Sequence, residues 1–172
     1  MIIKIEPQKG FTLLEMLFVI LLIGVFAVAI IPAITNSTED IKLKTLNTNI
    51  SRLRHAIDLY HLHHNNTYPG VKNIDGGLVD SAAVAAHAFV AQLTQYTSPD
   101  GKVSKRRNDT YIFGPYITGA ELPMNPFNYR NDLTCDISTT GISGRNTDNS
   151  TGWKFYTQTG VIVANDGEHG DI

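Results

Sequence analysis

Apolar residues follow two different rhythms along this chain. From Leu13 to Ile34 they run almost without interruption, and the one ionisable side chain in those 22 positions is Glu15. A helix over that stretch would rise about 33 Å, close to the roughly 30 Å hydrocarbon core of a bilayer. From Leu43 the rhythm changes. Leu43, Leu46, Ile50, Leu53, Ile57 and Tyr60 recur three and four positions apart, the apolar stripe of an amphipathic helix. Asn47, Thr48, Asn49, Arg52, Arg54 and Asp58 lie between them and suit solvent. The pattern predicts one long helix ending near Asn65–Asn66, before Tyr68-Pro69-Gly70.

Beyond that helix the pattern is shorter and more broken. An alanine-rich segment, Asp80 to Leu93, predicts a second helix with Asp80 as its N-cap. Ser98-Pro99-Asp100-Gly101 reads as a turn. Prolines and glycines in 113–117 and 122–127 restrict those stretches to short extended pieces. Asp132 to Thr151, rich in Gly, Ser, Thr, Asn and Asp, reads as loop. Trp153–Tyr156 and Val161–Ala164 predict two strands joined through Thr157-Gln158-Thr159-Gly160. The expected fold class is α+β, a long N-terminal helix packed on a small antiparallel-sheet head.

Composition narrows the chemistry. The chain has 172 residues and a formal charge of −2, which gives no basic bias toward nucleic acid. Lys102, Lys105, Arg106 and Arg107 beside the turn read as a solvated loop, and no nucleic-acid partner is expected. A single cysteine, Cys135, excludes an internal disulfide and a Cys-rich zinc site. His61 and His64 share a helix face and could hold a metal, but no cysteine or carboxylate completes a set nearby. With His55 and His63 they read as histidines near a helix C-terminus, where positive charge is favourable. No nucleophile elbow, zinc-protease motif or phosphate loop is present, so the chain reads as not an enzyme.

Glu15 is the energetic oddity. A carboxylate in hydrocarbon costs roughly 2.5–3.5 kcal/mol on insertion scales and usually marks function. Lys4 and Lys9 precede the apolar run, which keeps the short N-terminus cytoplasmic. Ala27-Val28-Ala29 offers a small-x-small site for signal peptidase. Against that reading, the carboxylate is unwelcome in a signal peptide and the run continues to Ile34. A plain uncleaved anchor fits the length but leaves Glu15 without a purpose.

Gly10-Phe11-Thr12-Leu13-Leu14-Glu15 resembles the prepilin peptidase site of the type IV pilin and pseudopilin superfamily. The resemblance implies cleavage between Gly10 and Phe11, N-methylation of Phe11, and an assembly role for Glu15, fifth in the mature chain. It also implies a helix segment bracketed by Gly24 and Pro32, where a bend is expected. Domains then follow as a leader over 1–10, a transmembrane and assembly half over 11–34, an amphipathic half over 35–65, and a periplasmic head over 66–172. The loops Phe113-Gly114-Pro115-Tyr116 and Leu122-Pro123-Met124-Asn125-Pro126, and the C-terminal Trp153–Ala164 segment, resemble the major pseudopilins of type II secretion. Asn125 stands where those proteins usually have Asp.

The function implied is a structural pseudopilus subunit in the bacterial inner membrane, later in a filament. Its implied partners are copies of itself, prepilin peptidase, an inner-membrane assembly platform and minor pseudopilins. A type IV pilus subunit, or a membrane-anchored domain that does not polymerise, are the alternatives. The family's calcium loops make calcium a candidate ligand, with Asp166, Glu168 and Asp171 after the last strand as candidate donors. Asp132, Asp136 and Asp148 in the long loop are further oxygen sources. A solvated acidic tail is the competing reading.

Overall fold

A computed structural model describes residues 10–141 and 146–172, and within the first helix the side chains of residues 27–37 lie outside the description. Residues 1–9 of the expected leader over 1–10 also lie outside the described residues. The chain divides into two compact units at Ile41/Lys42. The first helix, α1, runs Leu13–His63, and the second, α2, runs Ala82–Thr94. Five short strands follow: β1 (Tyr96–Thr97), β2 (Val103–Ser104), β3 (Leu133–Asp136), β4 (Trp153–Tyr156) and β5 (Val161–Ala164). The fold is α+β, as the pattern predicts.

The apolar stripe of α1 is buried as its spacing requires. Leu46, Ile50, Leu53, Ile57 and Tyr60 are at most 1% exposed, while Leu43 is half-buried. They join one core cluster with Phe89 and Leu93 of α2 and with Trp153, Phe155 and Ile162 of the sheet. Helix α1 ends where the sequence indicates. Asn65 and Asn66 take the left-handed conformation, φ 52° and 58°, and the Asn66 amide closes back on the His61 carbonyl at 3.0 Å.

The fold departs from the expectation in three places. The cap of α2 is Ser81, whose hydroxyl accepts from the Val84 amide, and not Asp80. Residues 133–136 form a strand instead of loop, through the brief alternation of Leu133, Cys135 and Ile137. That strand pairs with β4 in parallel, so the three-stranded sheet β3-β4-β5 is mixed and not purely antiparallel. Parallel neighbours need a long crossover, and the polar segment 137–152 supplies it.

β1 and β2 form a separate hairpin around the expected turn. Gly101 in that turn has φ 85°, and a Cβ there would meet the Tyr60 hydroxyl at 2.9 Å. Gln92 of α2 ties the neighbouring loops together. Its Oε1 accepts from the Gly70 amide at 2.8 Å, and its Nε2 donates to the carbonyls of Lys72 and Gly101, each at 3.0 Å.

Leu53→Ala is expected to destabilise the protein by about 2–5 kcal/mol, whereas Arg52→Ala on the solvent face should stay within about 0.5 kcal/mol. Urea unfolding of the full chain in detergent measures both. The buried Tyr156 hydroxyl has no hydrogen-bond partner among the described residues. Tyr156→Phe is therefore expected to be neutral or stabilising by up to about 1 kcal/mol in the same assay.

Candidate functional site

Gly10, Phe11 and Thr12 precede the helix in non-helical backbone, and Phe11 is 76% exposed. Thr12 caps α1. Its carbonyl accepts the first helical bond from the Met16 amide at 3.2 Å, and its hydroxyl accepts from the Glu15 amide at 3.2 Å. The Glu15 carboxylate reaches back to the Thr12 amide at 3.0 Å and the Thr12 hydroxyl at 3.1 Å. This reciprocal arrangement is a capping box. The Thr-x-x-Glu spacing was readable in the sequence, and it assigns Thr12 a part that the leader motif alone does not.

The junction 10–12 is thus held out of the helix, while Glu15 has donors within its own chain. Every residue from Leu13 to Phe26 is exposed. A helix that is apolar on all sides is ordinarily buried in a large core or in lipid. Among the described residues no helix is long and apolar enough to cross a membrane. The last part of the expected span, residues 27–34 with Pro32 among them, has side chains that lie outside the description. α1 continues through Gly24, and no described atom lies within 4 Å of where a Cβ on Gly24 would sit.

The four histidines do not form a metal site. Among the described residues no group of three or more His, Cys, Asp or Glu side chains could share a metal ion. Nor are they all solvated end charges. His61 stacks on Tyr68 with ring centroids 4.1 Å apart, and His63 on Phe113 at 4.7 Å. His64 is buried at 3% exposure and stacks on Tyr60 at 3.7 Å. Because a carbonyl only accepts, its Nδ1–H donates to the Tyr60 carbonyl at 2.8 Å, leaving Nε2 to accept from the Thr97 hydroxyl at 3.0 Å. Burial lowers its pKa, with the Tyr60 carbonyl bond opposing. His64 extends the buried stripe one turn past Tyr60. Its burial depends on β1, which the sequence did not reveal.

The acidic candidates are spread apart in role. Glu168 and Asp171 are exposed. Asp166 has a side chain only 3% exposed, and its pKa lies below the usual carboxylate value. Burial pushes that pKa up, but the His169 amide, the Asn125 amide group and the Glu168 amide outweigh it. Asp132 pairs with Arg130 at 2.9 Å. Asp136 accepts from the amides of Ser138 and Thr139 at 3.0 and 2.9 Å, and Asp148 from the Ser150 amide at 3.0 Å. In the long crossover the carboxylates therefore serve as turn acceptors.

Comparison with known proteins agrees with the N-terminal geometry. The family model for the prokaryotic N-terminal methylation motif matches residues 7–31. The chain is 29% identical over 158 residues to the type II secretion system core protein G of Vibrio cholerae, covering 87% of this chain and 90% of that protein. The protein of that name from Klebsiella pneumoniae is 31% identical over 83 residues, 48% of this chain and 59% of that protein. The one from Escherichia coli K12 is 38% identical over 64 residues, 37% of this chain and 43% of that protein. In the last two alignments the chain spans about half the relative's length. No solved structure matches significantly. The N-terminal motif and these relatives make the chain similar to type IV pilin-like proteins. Within that class, the relatives support its recognition as a major pseudopilin.

The buried neutral His64 gives the head an acid sensitivity of known sign. Its folded pKa lies below the ordinary 6.5, so its contribution is complete above that value and declines as pH falls through it toward the lower folded value. The melting temperature of the full chain is expected to drop between neutral and mildly acidic buffer. His64→Gln should flatten that dependence.

Proposed function

We propose that this chain is a structural subunit of a type II secretion pseudopilus. The observation that carries the reading is the methylation motif at the start of an apolar, outward-facing helix, in a chain aligned with core protein G over 87% of its length. Its role is assembly, with no reaction catalysed by the head.

The precursor sits in the bacterial inner membrane as a single-pass protein, through an apolar segment that includes residues 27–34, with its head in the periplasm. Prepilin peptidase removes the leader between Gly10 and Phe11. The capping box supports this step, because it starts the helix at Leu13 and leaves the scissile backbone outside the helix and exposed. Cleavage frees an ammonium on Phe11, and N-methylation keeps its charge. Glu15 lies one turn away along the chain.

In an unassembled subunit, Thr12 satisfies the Glu15 carboxylate. In the filament that carboxylate meets the N-terminal ammonium of a neighbouring subunit. Opposite charges attract far more strongly in a low-dielectric setting than in water, and a buried pair fixes axial register. The exposed apolar side chains of residues 13–26 pack against those of other subunits. Gly24 and Pro32 weaken the helix where it must adjust to its neighbours. The inner-membrane assembly platform and minor pseudopilins complete the set of partners.

Mass spectrometry of the mature N-terminus is expected to find methylated Phe11. A chain beginning at Met1 or Ile30 would overturn the reading. Glu15→Val should still be cleaved after Gly10 yet fail to enter filaments. Normal incorporation of that variant would remove the charge-pairing mechanism.

A further inference from the structure

The resemblance to calcium-binding pseudopilins raises a question that the donor chemistry of the C-terminal loop answers. Asn125 is fully buried. Its Oδ1 accepts from the Phe127 amide at 2.9 Å, and its Nδ2 donates to the Gly152 carbonyl and to Asp166 Oδ2, each at 3.1 Å. Two backbone groups of opposite polarity fix the direction of this amide, so N–H faces Asp166. The other oxygen, Oδ1, accepts from the amides of Glu168 at 3.1 Å and His169 at 2.9 Å, and lies 3.2 Å from His169 Nδ1. His169 in turn stacks on Phe127, ring centroids 3.9 Å apart.

A second buried asparagine repeats the arrangement. Asn165 directs Nδ2 at Asp148 Oδ1, 2.8 Å away, and its own Oδ1 accepts from the Asp148 amide at 3.0 Å. Calcium needs six to eight oxygens turned toward one point. Here the oxygens of Asp166 and Asp148 are turned toward N–H groups, and Glu168 and Asp171 stand exposed and do not converge with them. The residues present do not fit a calcium centre.

We infer that the C-terminal loop of this protein is closed by its own hydrogen-bond donors, a clamp of Asn125, Asp166 and His169, and takes no calcium. The clamp joins the loop after β5 to the proline-containing loop at 122–127 and to Gly152 at the start of β4. Asp at position 125, usual in the resembling proteins, would turn an oxygen toward Asp166 in place of a donor. The inference concerns the folding of the head and does not rest on the filament reading.

Thermal unfolding of the full chain in detergent tests it. The wild-type melting temperature is expected to be the same in millimolar calcium chloride and in EDTA, with no calcium binding by isothermal titration calorimetry. A higher melting temperature in calcium, or measurable binding heat, overturns the inference. This comparison needs no variant. Asn125→Asp is then expected to melt several degrees lower than wild type in EDTA, because two carboxylates would face each other. An unchanged melting temperature would show that the clamp holds nothing.

Discussion

Everything in the head depends on one stripe of helix that cannot be left wet. Leu46, Ile50, Leu53, Ile57 and Tyr60 project from one face of α1 and are covered almost completely. Burying a side chain of this size contributes about 1.5–3 kcal/mol, so the set outweighs any single polar contact in the domain. The cover comes from elements too short to stand alone, a thirteen-residue helix and strands of two to four residues. Aromatic bulk makes them sufficient: Phe89 and Phe155 meet with ring centroids 4.6 Å apart, and Trp153 is wholly enclosed with its indole N–H on the Pro123 carbonyl.

Polar groups caught under that cover have partners, the Tyr156 hydroxyl excepted. Gln92 uses both ends of its amide on backbone groups, and His64 uses both ring nitrogens. Each converts a desolvation penalty into a directional link between segments distant in sequence. The apolar part of α1 in the other unit presents the contrary case. From Leu13 to Phe26 the same kind of side chains are exposed, with no cover among the described residues. One helix thus carries a face covered within the head and, in its other unit, apolar side chains that are exposed among the described residues.

The sequence was most legible where periodicity was long or turn chemistry strong. The α1 stripe, the Asn65–Asn66 stop and the β4–β5 hairpin are read directly from spacing and from residues such as Gly160 at the turn. β3 was hidden because three alternating apolar residues stand beside a long polar tract, and its partner is the non-local β4. Adjacent capping residues made Asp80 and Ser81 hard to separate without the backbone. For His64, position on the stripe was visible, but its environment required knowing that Thr97 and Phe113 come to the helix end. The capping box at Thr12–Glu15 is the opposite lesson, a local signal complete within four residues.

The position of Trp153 and Phe155 has a consequence for the order in which the protein can be made. The stripe on α1 leaves the ribosome early, and these two fully buried aromatic side chains of the sheet arrive near the end of synthesis. Parallel pairing of β3 with β4 delays closure further, since β3 has no neighbour in its sheet until the whole crossover has emerged. Through most of its biogenesis the chain therefore carries sticky surface in both units. Truncation from the C-terminal side therefore removes the cover before it removes the stripe.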